Sequence, residues 1–143
     1  MYTSLAGDVK VGALAVVNAL GDITDSAGNI IAGAWDDQKN TFLNSHSKLR
    51  NMGNTSFPGN QNTTLAAVIV DARLSKEEIT KVAQMAQDGF ARAINPAHTQ
   101  FDGDLIIALS VGEKSGDLMS IGITAADVVS EAIRRAVRVS NQL

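Results

Sequence analysis

Gly59-Asn60-Gln61-Asn62-Thr63-Thr64 runs without a break into Leu65-Ala66-Ala67-Val68-Ile69-Val70-Asp71-Ala72. The first half is polar. The second is a run of small and β-branched side chains of strand length. The expectation is a loop that ends at Asn62 and a buried strand that begins at Thr63. A self-cleaving chain would cut the Asn62-Thr63 bond, because the cut exposes a threonine whose hydroxyl is the nucleophile and whose freed α-amine is the base. Such an amine titrates at about 7.7–8.0 when unperturbed, close to a working pH. The same residues also fit a plain strand that opens with two β-branched threonines.

Working outward, 143 residues are enough for one domain with a real core. The expectation is a single domain over 1–143 with a potential chain junction at 62/63. Aromatics are scarce, at 4%, so Ala, Val, Ile and Leu do the packing, which suits tight strand-on-helix layers. The formal charge of −3, with acids spread along the chain, leaves no basic stripe for nucleic acid. The absence of cysteine removes disulfides, thiolate metal sites and cysteine catalysis. Met1-Tyr2-Thr3-Ser4-Leu5-Ala6-Gly7-Asp8 has neither the basic nor the apolar region of a signal peptide. No stretch is apolar for the ~18 residues a membrane helix needs. A cytoplasmic protein without a membrane partner is expected.

Val9 to Asn18 is β-branched and mostly apolar, and predicts a strand buried on both faces. Gly21-Asp22 and Ser26-Ala27-Gly28-Asn29 are turn signals, with a short strand near Ile30 to Ala34. Residues 35 to 62 are polar and predict a loop far longer than an ordinary connection, of the kind that is usually functional. After the strand from Thr63 to Asp71, Ser75-Lys76-Glu77-Glu78 is a capping box. It opens a helix to about Ile94 with Ile79, Val82, Ala83, Ala86, Phe90 and Ala93 on one face. Asn95-Pro96 ends it. A strand is expected from Asp104 to Val111. A final helix, capped at Thr124, carries Arg134, Arg135 and Arg138 towards the negative end of its dipole. The order defines an α/β layered domain.

Three groups of polar residues stand out beside Thr63. Asn18 closes a strand; its amide fits an oxyanion donor, worth about 3 kcal/mol in such a role, and equally an Asx turn. Asp102 and Asp104 flank Gly103 before a strand. Two carboxylates so close push one pKa upward, which suits proton handling; solvated acids around a glycine turn are the plainer account, and two carboxylates are too few to define a hard-metal site. His98 lies in the loop before that pair, as a substrate-pocket residue or as a cap on a carbonyl. His46, in the polar loop, is expected to be solvated, and the two histidines form no zinc pattern. Arg92 fits a surface ion pair. Gly112-Glu113-Lys114-Ser115 lacks the spacing of a phosphate loop. Asn54-Thr55-Ser56 and Asn62-Thr63-Thr64 match glycosylation sequons, set aside without a secretion signal.

Four motifs occur in order: Val11-Gly12-Ala13-Leu14-Ala15-Val16-Val17-Asn18 with Gly21-Asp22; Asn62-Thr63-Thr64-Leu65; Gly89-Phe90-Ala91-Arg92-Ala93-Ile94; and Pro96, His98-Thr99 and Phe101-Asp102-Gly103-Asp104. Together they resemble the self-processing aminopeptidase family that includes L-aminopeptidase/D-esterase and the β-peptidyl aminopeptidases. The resemblance implies a four-layer αββα sandwich of N-terminal-nucleophile type, made as a precursor that cuts itself into two chains. It places Thr63 on the nucleophile and Asn62 on the residue before the cut. Asn18 falls on the oxyanion-hole asparagine. Asp102 and Asp104 fall on the pair that orients the nucleophile's hydroxyl and amine, the first of which is often Ser in that family. The precursors of the family are more than twice as long, so the resemblance covers their C-terminal portion. A truncated product, a fragment or one half of a split enzyme is the expectation.

The function implied is release of N-terminal residues from short peptides, amides or esters, with no metal or organic cofactor. Self-association as a homo-oligomer, or association with a complementing N-terminal segment, is expected, because strands that normally pair with that segment would leave open edges. Two other readings remain. One is a non-catalytic remnant acting as an assembly or binding subunit. The other is an acyltransferase of the ornithine acetyltransferase type.

Overall fold

The computed structural model describes residues 1–53 and 62–141. Residues 54–61 of the expected loop, and the Asn54 sequon, lie outside the described residues.

The principal sheet has four strands, in the order β1 (Tyr2–Ala6), β2 (Val9–Asn18), β7 (Thr63–Val70) and β9 (Leu105–Ser110). Strand β1 (Tyr2–Ala6) joins β2 (Val9–Asn18) in an antiparallel hairpin, with Ala6 opposite Val9. The two-residue turn is possible because Gly7 occupies the left-handed region at φ 60°. Strand β2 pairs antiparallel with β7 (Thr63–Val70), which pairs in parallel with β9 (Leu105–Ser110).

Burial alternates along these strands. In β2, Val9, Val11 and Ala13 are buried, whereas Lys10, Leu14 and Val16 are exposed. The central strand, expected to be covered on both faces, is covered on one.

The covered face carries the helices. Helix α2 (Lys76–Ala86) starts at the expected capping box: Glu78 N–H donates to Ser75 Oγ at 3.2 Å, and Ser75 N–H donates to Glu78 Oε2 at 2.7 Å. A break at Gln87 separates it from α3 (Asp88–Ala93), so the single helix expected to Ile94 is two. Helix α4 (Leu118–Ser140) begins at Asp117, whose carboxylate accepts from Ser120 N–H at 2.7 Å, and not at Thr124. Ile121, Ala125, Val128, Val129, Ala132 and Ile133 of α4 are buried against the sheet and the other helices.

Glycines set how closely the helices approach. A Cβ on Gly89 would lie 2.5 Å from the Ala126 carbonyl oxygen, and one on Gly122 would lie 2.2 Å from Met85 Sδ. Arg134 is buried, not a terminal dipole partner. Its Nε donates to the Thr24 carbonyl at 2.9 Å and its Nη2 to the Arg92 carbonyl at 2.7 Å, while Nη1 pairs with Glu131.

The chain is structured both before the expected loop at 35–62 and within its first part, where a hairpin and a short helix lie. A small sheet contains β3 (Asp22–Thr24) between β4 (Ile30–Ala32) and β8 (Ile94–Asn95). A hairpin of β5 (Trp35–Asp36) and β6 (Thr41–Phe42) follows, then one short helix, α1 (Ser45–Arg50). Buried Asp22 ties α1 down, accepting from Ser45 N–H at 2.6 Å and from Ser45 Oγ at 2.7 Å. His46 stays exposed, yet its Nδ1 lies 3.0 Å from Asn95 Oδ1. Among the described residues, no helix is long and apolar enough to cross a membrane.

The second face of the principal sheet is open and apolar. Leu14, Val16, Leu65, Ile69, Ile107 and Leu109 lie on it, each 40–63% exposed.

Candidate active site

The site lies where β2, β7 and the strand leading into β9 meet at one end of the sheet. Asn18 and Thr63 are direct partners across the β2/β7 ladder. Cross-strand partners share a face, with Cβ atoms roughly 4.5–5.5 Å apart. Both residues therefore point to the open face, along the row of Val16 and Leu65. Thr63 is half-buried and Asn18 is exposed.

On the other side of β7 the register is constant. Leu65 pairs with Leu105 and Val70 with Ser110, and an isolated parallel bridge joins Asn62 to Asp102 with the same spacing. Asn62-Thr63-Thr64 thus lies alongside Asp102-Gly103-Asp104, residue for residue.

Between the bridge and the regular ladder the pairing is interrupted by a side chain. The Thr64 N–H donates to Asp104 Oδ1 at 2.7 Å. The hydroxyl of Thr64 is fully buried and has no hydrogen-bond partner among the described residues.

The Asn62 carbonyl oxygen accepts twice: from Thr63 Oγ at 2.8 Å and from the Gly103 N–H at 2.9 Å. A hydroxyl that hydrogen-bonds the carbonyl of the preceding residue is one bond rotation from that carbonyl's carbon. Gly103 also leaves room for it, since a Cβ there would lie 3.0 Å from Thr63 Oγ.

The two acids differ. Asp102 turns back on its own loop, with its Oδ2 accepting from Thr99 N–H at 2.8 Å. Asp104 reaches β7. Its pKa is raised, first by burial and further by the neighbouring Asp102 charge; the Thr64 N–H and His98 pull it the other way. His98 therefore stands within electrostatic reach of the site. Its ring packs at an angle to Phe90, with centroids 6.1 Å apart, on a backbone at φ 56°. Arg92 pairs with Asp127 on the helical side of the molecule.

A cavity of about 370 Å³ is lined by Asn62, Thr63, Gln100, Phe101, Asp102 and Gly103. Sequence reading found Thr63, Asn18 and the two acids, and the fold brings all four to one end of the sheet. It treated Gly103 as a turn residue and missed that its N–H reaches the Asn62 carbonyl. The signal was the parallel between Asn-Thr-Thr and Asp-Gly-Asp, which acquires meaning only once the strands are in register.

The sequence matches the family model of Peptidase family S58 over residues 2–143, and the chain belongs to that family. An uncharacterized aminopeptidase of Mycobacterium leprae is 33% identical over 154 residues, covering 94% of this chain and 42% of the relative. An uncharacterized aminopeptidase of Mycobacterium tuberculosis is 31% identical, covering 94% of this chain and 45% of its own length. The 6-aminohexanoate-oligomer endohydrolase of Kocuria sp. is 27% identical over 150 residues, 92% of this chain and 42% of that enzyme. The chain spans less than half the length of these curated relatives.

Proposed function

We propose that this chain is the nucleophile-bearing part of a peptidase-type hydrolase that cuts its own Asn62-Thr63 bond and then uses Thr63 on amide or ester substrates. The observation that carries this reading is the Thr63 hydroxyl, hydrogen-bonded at 2.8 Å to the carbonyl of the bond it would cut. Family membership supports the hydrolase class, and the relatives' names, aminopeptidase and oligomer endohydrolase, are consistent with amide substrates.

In this reading the freed Thr63 amine is the general base and its hydroxyl attacks the substrate carbonyl. Asn18, across the ladder, donates its amide to the oxyanion. Asp104 holds the backbone of Thr64 and so fixes the first strand residue after the nucleophile; Asp102 fixes the loop that precedes Gly103 and Asp104. His98 packs against Phe90 and is not among the residues lining the cavity beside Thr63, so no substrate contact is assigned to it. The open apolar face supports a further reading. A contiguous apolar surface of this kind is rare on an isolated soluble unit, and a second sheet laid on it would complete an αββα sandwich. A complementing segment or a second copy supplies that sheet.

The test is hydrolysis of amino-acid p-nitroanilides and short peptides by purified protein, alone and with added amine acceptors. Hydrolysis that disappears in Thr63→Ala supports the reading. Transfer to the amine in preference to water would replace it with the acyltransferase reading, and no turnover with any acceptor would favour a binding subunit.

A further inference from the structure

We propose that the Gly103 backbone N–H is the oxyanion donor for self-cleavage, and that glycine at 103 leaves room for the attacking Thr63 hydroxyl. This rests on the reading that Thr63 attacks the Asn62 carbonyl, and it adds a component that neither the motif nor the acid pair supplies.

The N–H lies 2.9 Å from the Asn62 oxygen, the atom that becomes the oxyanion. In the first step a bond forms between Thr63 Oγ and the Asn62 carbonyl carbon, and the C=O π pair moves onto the oxygen. The Gly103 dipole faces that oxygen before charge develops, so no reorganisation is needed. The C–N bond then breaks, and the proton lost by Thr63 Oγ ends on the Thr63 nitrogen. The result is an ester between Asn62 and Thr63 with a free α-amine. Water adds to the ester carbonyl, which returns the hydroxyl to Thr63 and leaves a carboxylic acid on Asn62.

The contact is one of the two backbone bonds of the Asn62/Asp102 bridge, the other running from Asn62 N–H to the Phe101 carbonyl at 3.3 Å, and two features set it apart from the regular β7/β9 ladder. The regular β7/β9 pairing begins at Leu65 and Leu105, and between there and the Asn62 bridge the Thr64 N–H is taken by Asp104 Oδ1. The bridge is therefore an isolated clamp on the scissile carbonyl. The second feature is steric. The Gly103 backbone lies so near Thr63 that an added Cβ would come within 3.0 Å of the nucleophilic oxygen, tighter than most carbon–oxygen contacts in folded chains. Donor and vacancy at one residue serve the carbonyl and the hydroxyl of the same reaction.

Asn18 cannot take this role in the same way. It approaches Thr63 from the β2 side, whereas the Asn62 oxygen points to the Gly103 side. The two donors divide the work: Gly103 for the internal bond, Asn18 for a carbonyl that arrives from the open face.

The experiment replaces the Gly103 amide with an ester by semisynthesis, which removes the N–H and adds no side chain. Fragments 1–62 and 63–143 are followed by intact mass beside the unmodified chain. Roughly 10²- to 10³-fold slower cleavage is expected, the usual loss for one oxyanion donor. Gly103→Ala, which keeps the N–H and fills the vacancy, should also slow cleavage. In uncut Thr63→Ala, a through-hydrogen-bond coupling between the Gly103 nitrogen and the Asn62 carbonyl carbon should be measurable whether or not the ester folds. An absent coupling overturns the proposal, as does an ester variant that cuts at the unmodified rate. Those results leave the Thr63 reading intact, whereas an unmodified chain that never cuts overturns both.

Discussion

Asn18 and Thr63 face each other across the β2/β7 ladder, on the sheet face that the helices leave uncovered. The pair places a side-chain amide and a hydroxyl side by side at a strand end, on the face that no helix covers. Asn18 is exposed, and its side chain makes no hydrogen bond among the described residues. Asn18→Ala should therefore change the melting temperature by less than the equivalent of about 0.5 kcal/mol and lower kcat for amide hydrolysis by roughly 10²- to 10³-fold. Steady-state kinetics on an amino-acid p-nitroanilide, with a thermal melt of the same sample, check both halves.

Asp104 carries a charge that its surroundings disfavour, chiefly through burial. Its folded pKa is above the unfolded one, so the folded state binds more protons between the two values. Stability falls as pH rises through that window and stays lower above it. Asp104→Asn keeps an acceptor for the Thr64 N–H and removes the charge. It should melt above the parent at pH 7, with the advantage shrinking as pH drops through and below the ordinary carboxylate range. Thermal melts over a pH series read this directly; an advantage that grows on acidification would contradict the sign.

Gly89 and Gly122 both sit under α4 contacts, but what an added methyl would meet differs. At Gly89 it is the Ala126 backbone carbonyl, which cannot move without α4; at Gly122 it is the flexible end of Met85. Gly89→Ala should cost more than about 2 kcal/mol by overpacking. Gly122→Ala should cost about 1 kcal/mol or less, because Met85 can swing away and alanine favours the helix. Urea denaturation of the two variants gives the comparison.

Arg134 clamps Thr24 and Arg92 carbonyls from within the helix layer. Arg134→Ala removes a buried guanidinium and the donor to both carbonyls and should cost about 1–3 kcal/mol. Its neighbour Arg135 is exposed, so Arg135→Ala should fall within about 0.5 kcal/mol of the parent. Equal losses in the two variants would show that the clamp is not what Arg134 contributes.

Much of the layout was legible in the chain. The apolar runs of β2, β7 and β9 announced strands, and Ser75 with Glu78 announced the start of α2 to the residue, because these signals are local. Strand β1 was not legible: Tyr2-Thr3-Ser4-Leu5 is polar enough to pass for a terminus and is a strand only because β2 pairs with it. The α4 start was expected at Thr124, whereas the helix begins at Leu118 behind the Asp117 cap and holds Gly122 within it, against Met85. The hairpin and α1 inside the expected loop depend on Asp22, read as a turn residue, whose carboxylate caps Ser45 from 23 positions away. The candidate site followed the same division. Thr63, Asn18, Asp102 and Asp104 were named from motifs, whereas the parallel register that sets Gly103 against Asn62 is a long-range property that no local pattern encodes.

Intact mass spectrometry of purified wild-type protein and Thr63→Ala, followed over days at pH 7–8, tests the central claim most directly. The account predicts that the wild type resolves into two pieces parting between Asn62 and Thr63, with threonine at the new N-terminus, and that Thr63→Ala stays whole. A single uncut species in both, or fragments that form equally in both, would contradict it.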